Sequence, residues 1–241
     1  MTIIVGSARI DERSKLSGGS AGDQTGKEVS TQNFYMHSKG WYALRPKSVD
    51  VANKLATAMK QACNNNKIGY DQSNRSGVVT NVKKYGTLAK ISVKTEADCS
   101  SLVRACIYQA TGKDVGDFNT SSEVSVLEKS GLFKSKKSIS SSSEVYNGDV
   151  LVTKTKGHTV IVVSGRARVS TSSTSYYSKY TGSSGKIDEV FKAIGVPEKY
   201  RGSYKKRKPV AVKNSIASYT GSASQNLSLI ELAKQGKLKK A

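Results

Sequence analysis

The chain has 241 residues, 37% of them hydrophobic, and a formal charge of +21. That length suffices for one domain of about 150–200 residues with a small appendage, and the charge calls for an anionic partner: nucleic acid, an anionic membrane or an anionic wall polymer. No run reaches transmembrane length. No zinc-finger spacing or helix-turn-helix signal accompanies the charge, which argues against specific nucleic-acid recognition.

The N-terminus reads Met-Thr-Ile-Ile-Val-Gly, without the basic region and apolar stretch of a signal peptide, so no leader is expected. Apolar Ile3–Val5, Phe34–Met36 and Trp41–Tyr42 read as strands flanking a polar, glycine-rich segment, Gly18–Val29. His37, between Met36 and Ser38, reads as a surface or edge position. Val51, Ala52, Leu55, Met59 and Ala62 recur at helical spacing and predict a helix over 49–66, ended by Asn64–Asn66. Ile68–Gln72 reads as a loop, Val78–Lys84 as a second helix or irregular segment, and Thr87–Val93 as a connection.

The chain turns on Thr95–Val103. Asp98 or Ser100 can cap a helix whose body runs from Leu102 to Ala110, which places Cys99 at its start. Such a cysteine is either a small buried hydrophobe or a nucleophile whose thiolate is favoured by the unpaired N–H groups of the helix end. Cys63 and Cys106 lie among apolar residues and read as buried hydrophobes; three cysteines without a pairwise motif argue against a disulfide scaffold and a cysteine metal site.

Ser122–Lys129 predicts a short helix stopped by Gly131, and Val150–Val152 with His158–Val163 predicts an antiparallel hairpin that Arg166–Ser170 could extend by a third strand. His158 follows Gly157 at the strand start, where an imidazole can meet a thiol at a helix N-terminus. The residues alone leave open a buried thiol and a turn histidine that never meet. Ile187–Ile194 predicts a small helix, Gly202–Lys213 a basic loop, and Leu227–Gln235 a last helix.

Asp98-Cys99-Ser100-Ser101-Leu102-Val103, Asn147-Gly148-Asp149-Val150-Leu151-Val152 and Gly157-His158-Thr159-Val160-Ile161-Val162 together resemble the NlpC/P60 family of papain-like cell-wall hydrolases. The CHAP amidases are a near neighbour. Gly69-Tyr70-Asp71 resembles that family's cleft-lining tyrosine element, and Gly18–Val29 with Ile68–Asn74 is similar to the catalytic region of endolysins from phages and prophages of Gram-positive bacteria. The resemblance implies an α+β, papain-like NlpC/P60-type domain, helices packed on a small antiparallel sheet. We place that domain at residues 1–199, followed by a short basic appendage at 200–241.

The activity implied is endolysin-type cleavage of an amide bond in peptidoglycan stem peptides, most simply by an endopeptidase. Cys99 would attack the amide carbon, while His158 holds the thiolate as an ion pair, protonates the leaving amine and then activates water. The Cys99 N–H and the Tyr70 hydroxyl would hold the oxyanion, and Tyr70, Asp71, Asp98 and Ser100 would border the substrate. No metal or cofactor is required. The implied partners are peptidoglycan and anionic wall polymers, reached from the host cytoplasm at lysis.

One departure from the family stands out. The polar residue that usually orients the histidine has no counterpart between His158 and Asp188, where Ser164, Ser170 and Thr171 are weak substitutes and Asp98 serves only if geometry permits. Two other readings stay open: an N-acetylmuramoyl-L-alanine amidase on the same scaffold, and a non-catalytic basic protein that binds cell wall or nucleic acid.

Overall fold

The computed structural model describes residues 2–167 and 176–241, in two compact units, residues 1–168 and 169–241. The first is mixed α/β. Its strands β1 (Ile4–Ala8), β2 (Val29–Asn33), β3 (Trp41–Leu44), β6 (Lys137–Ile139), β7 (Val150–Thr153) and β8 (Thr159–Ser164) form one antiparallel sheet in the order β2-β1-β8-β7-β3-β6. The predicted hairpin is β7–β8. The strand foreseen at Phe34–Met36 lies instead at Val29–Asn33, and the proposed strand Arg166–Ser170 falls largely outside the described residues.

Side-chain alternation places β8 between two apolar layers. Ile161 and Val163 face the larger core with Val150 and Val152, while Val160 and Val162 pack with Val5, Trp41 and Leu151 on the other face. This double burial explains the unbroken apolar run Val160–Val163, since a strand covered on both sides has no polar face to show. On the larger core lie helices α1 (Val49–Cys63), α2 (Gly77–Tyr85) and α3 (Cys99–Thr111), with α1 and α3 packed against each other and against β8. Gly148, in the Asn-Gly-Asp turn into β7, has φ +78°, and a Cβ there would stand 2.2 Å from the Ala52 carbonyl oxygen. Only glycine permits that approach to α1. Asp149 follows it, buried, accepting from Arg45 Nε at 2.9 Å and Nη2 at 2.8 Å.

The expected loop at Ile68–Gln72 contains a strand. β4 (Ile68–Tyr70) pairs in parallel with β5 (Thr95–Ala97), Tyr70 opposite Ala97. A two-stranded parallel pair this short carries little periodicity to read. Its formation rests on the glycine-rich segment above it: the Gly22 carbonyl lies where a Cβ on Gly69 would be, and Glu28 accepts from the Tyr70 N–H at 3.0 Å.

The second unit holds α5 (Ile187–Ala193), α6 (Tyr204–Lys213) and α7 (Ala223–Lys234) around a separate core that includes Phe191, Val210, Tyr219 and Leu229. The division drawn at 199/200 therefore falls inside this unit. Composition changes at residue 200, but α5 buries Ile187, Val190 and Phe191 in this core and packs against α7. The basic loop expected at Gly202–Lys213 is a helix. Lysine and arginine are good helix formers, and Arg207, Val210 and Ala211 give it an inward face despite Pro209. The buried Arg207 bonds Tyr219 Oη at 3.0 Å and pairs with Asp188 at 3.1 Å. α7 begins ahead of Leu227 because Ser222 and Gln225 form a reciprocal cap.

Candidate active site

Cys99 is the first residue of α3, and the cap ahead of it is Asp98. Asp98 Oδ1 accepts from the Ser101 N–H at 2.7 Å, and Ser101 Oγ accepts from the Asp98 N–H at 2.9 Å. This satisfies two donors that would otherwise go unpaired at a buried helix start. The other Asp98 oxygen pairs with Arg75 Nη1, while Arg75 Nη2 donates to Ser100 Oγ at 3.1 Å and the same guanidinium holds Asp117 and the Phe118 carbonyl. Asp98 and Ser100 are therefore engaged in fixing the helix start.

Tyr70, Asp98, Cys99 and Ser100 line one cleft of about 360 Å³ together with Leu16, Gln72, Arg75, Asn119, Thr120, Lys156 and Gly157. The parallel β4–β5 pairing sets Tyr70 opposite Ala97, two residues before the cysteine. Larger grooves lie on the second unit, but none is lined by cysteine or histidine. Asp71 is not on the lining. It stands behind the wall, accepting from the Gly18 N–H at 3.1 Å and the Ser73 N–H at 2.6 Å, while the Gln72 N–H holds the Leu16 carbonyl at 2.9 Å. Asp71 thus builds the rim that carries Leu16.

His158 does not line the cleft; the two residues before it do. The turn that presents it is tied down at several points: the Gly157 N–H donates to Thr120 Oγ1 at 3.1 Å, and the His158 N–H to Thr153 Oγ1 at 3.0 Å. The imidazole Nε2 stands 3.2 Å from Ser7 Oγ, a buried hydroxyl on β1, the strand beside β8. The hydroxyl at the imidazole thus comes from the start of the chain and not from the segment between His158 and Asp188. Of the substitutes named there, Ser170 and Thr171 lie outside the described residues.

Burial sets the protonation states. Cys99 is 8% exposed, and burial, seconded by the carboxyls of Asp98 and Glu123, pushes its thiol up to about 12 against the N–H groups of Thr159 and Ser100. Burial, with the charges of His37 and Arg9, pulls His158 down to about 4. At neutral pH both groups are uncharged. Burial also raises the Tyr70 phenol, so it stays a donor.

Two neighbours escaped the sequence reading. Arg75 is a lone cation in a polar turn, with no spacing that marks it. Glu123 reads as an ordinary solvent-facing acid in the first turn of α4 (Glu123–Lys129), yet it is fully buried, accepting from Thr159 Oγ1 at 2.8 Å. Burial raises its carboxyl well above the usual range.

The model of the endolysin-like domain family matches residues 5–169. The chain belongs to that family. No curated protein matches it, and no solved structure does. The endolysin-like domain spans the sheet, α1 to α4 and the whole of the cleft, and membership points to a phage-type peptidoglycan hydrolase. Among the described residues no helix is long and apolar enough to cross a membrane, and no three His, Cys, Asp or Glu side chains cluster closely enough to hold a metal ion.

Proposed function

We propose that this endolysin-like domain hydrolyses an amide bond in peptidoglycan stem peptides through Cys99 and His158, on a papain-like scaffold of the NlpC/P60 type. The observation that carries the proposal is Cys99 at the N-terminus of α3 on the wall of a cleft that Lys156 and Gly157, the two residues before His158, also line. A helix N-terminus presents free N–H groups and positive potential where negative charge develops.

Because burial leaves both groups neutral, a standing thiolate–imidazolium pair is disfavoured and His158 acts as a general base. It takes the Cys99 proton as Sγ bonds to the amide carbon. The Cys99 N–H and the Tyr70 hydroxyl hold the oxyanion. The intermediate collapses to a thioester as the imidazolium gives its proton to the departing amine. Water, deprotonated by His158, then cleaves the thioester, releasing a carboxylate and restoring the thiol. The Ser7 hydroxyl orients the ring by holding Nε2.

A non-catalytic role is favoured by one observation, the raised thiol. Clearing of susceptible walls separates the two readings: Cys99→Ala and alkylated protein should leave turbidity unchanged, and His158→Ala likewise. Undiminished clearing by Cys99→Ala would sink the catalytic assignment. Mass spectrometry of the released fragments tells an endopeptidase from an N-acetylmuramoyl-L-alanine amidase.

A further inference from the structure

Hydrogen-bond donors and acceptors are unevenly supplied in the cleft that holds Cys99. Its lining has one acid, Asp98, and both carboxylate oxygens are taken, Oδ1 by the Ser101 N–H at 2.7 Å and Oδ2 by Arg75. Ser100 Oγ accepts from Arg75 and donates to Asp98. Asn119 Oδ1 accepts from the Ser121 N–H at 2.9 Å and from the Ser121 hydroxyl. Among the amide and carboxylate oxygens of the lining, Gln72 Oε1 alone is free, beside its own free amide nitrogen.

Three donors remain. Because Asn119 Oδ1 faces an N–H, its Nδ2 is the free end of the amide. Thr120 Oγ1 accepts from the Gly157 N–H at 3.1 Å, which leaves its own O–H to give. Lys156 has no carboxylate partner among the described residues, whereas Arg75, the other cation of the lining, is occupied by Asp98, Asp117 and the Phe118 carbonyl. The Gly157–Thr120 bond ties the turn of Lys156 to that of Asn119, so the three donors belong to one wall. Both turns are held. The Asn119 carbonyl accepts from the Ser122 N–H at 3.0 Å and the Glu123 N–H at 2.9 Å, and the Lys156 carbonyl accepts from the Lys39 ammonium at 2.6 Å. An ammonium, an amide N–H and a hydroxyl on one fixed wall complement a group that only accepts and carries negative charge. A carboxylate is such a group; a carboxamide brings two further donors to a wall of donors.

We propose that Lys156, with Asn119 and Thr120, holds a free carboxylate of the substrate and selects stem peptides whose acid beside the scissile amide is not amidated. The same cleft carries Cys99, so the carboxylate belongs to a residue next to that amide. The selection rests on the reading of this cleft as the amide-hydrolysing site.

The full chain carrying Cys99→Ala reads binding without hydrolysis. The probes for titration calorimetry are the synthetic peptide L-Ala-D-isoglutamyl-L-Lys-D-Ala-D-Ala and its D-isoglutaminyl form, which differ only in carboxylate against carboxamide at the second residue. The acid form should bind about ten- to hundredfold more tightly, the scale of a hydrogen bond to a charged group. Lys156→Met should bring that ratio below about threefold and Lys156→Arg should keep most of it, since only the second retains the charged donor. Asn119→Asp still accepts from Ser121 but sets a negative charge on the wall, and should lower the ratio as far as Lys156→Met does. Lys60→Met removes the same charge from α1 and should keep the parent ratio. Equal binding of the two peptides by the parent, a parent ratio kept by Lys156→Met, or the same fall in Lys60→Met would each overturn the proposal. With Cys99 in place, cleavage of both peptides at equal kcat/KM overturns the carboxylate assignment and leaves the catalytic reading standing. A kept binding ratio with no cleavage of peptides or walls does the reverse.

Discussion

His158 Nε2 lies 3.2 Å from the hydroxyl of Ser7, a partner 151 positions away in the chain. If that hydroxyl orients the base, Ser7→Ala should lower kcat about ten- to hundredfold, the scale for partners one step from the reacting atoms, with KM little changed. Ser7→Thr keeps the hydroxyl and should recover most of the rate. Equal loss in both variants would mean that Ser7 only fills space.

Glu123 bonds Thr159 across the back of the site, and burial keeps its carboxyl protonated. Glu123→Gln should therefore cost less than about 1 kcal/mol, whereas Glu123→Ala, which leaves a cavity and an unpaired hydroxyl, should cost about 2–4 kcal/mol. A carboxyl raised on folding contributes stability that is complete below its unfolded value and is lost as pH rises through its folded value. Denaturant melts at several pH values should show Glu123→Gln gaining on the parent as pH rises. A constant gap would show that Glu123 is ionised in the fold.

Asp98 caps α3 and also pairs with Arg75. Asp98→Asn keeps the capping oxygen and loses the charge, so it should cost about half of what Asp98→Ala costs, about 2–4 kcal/mol by thermal melting. After burial, the Asp98 carboxylate is the largest influence raising the Cys99 thiol. Alkylation rate against pH should place that thiol lower in Asp98→Asn than in the parent. No movement would remove Asp98 from the electrostatics of the nucleophile.

His158 must be neutral to accept a proton, and burial together with His37 and Arg9 holds it at about 4. The acid limb of kcat/KM should therefore fall near pH 4, well below the ordinary histidine value. Arg9→Met removes one of the charges and should move that limb upward. A base depressed on folding contributes stability present above its unfolded value and lost as pH falls through its folded value, here between about 6.5 and 4. An acid limb near 6.5 in the parent would show that the imidazole is more open to water than the fold implies.

Local signals carried the sequence reading where it succeeded. The spacing of Leu55, Met59 and Ala62 marks α1, the polar residue before Cys99 marks the start of α3, and the β-rich runs around Gly157 mark the β7–β8 hairpin. Each is settled within a few residues by periodicity, capping or turn chemistry. α6 is not legible in the sequence because a run of lysines around Pro209 looks like a loop until its inward face finds Phe191 and Leu229 in a common core.

Position in sequence alone made Cys99 the first residue of a capped helix and His158 the residue just ahead of a strand. What surrounds them came only from tertiary pairing. β1 lies against β8 and brings in Ser7, β4 lies parallel to β5 and sets Tyr70 opposite Ala97, and Arg75 and Glu123 reach Ser100 and Thr159 from distant turns. Caps and periodicities act over one or two helical turns, so the sequence displays them directly. Strand neighbours and buried charges depend on which edges meet across the whole core, and that is decided only when the chain packs.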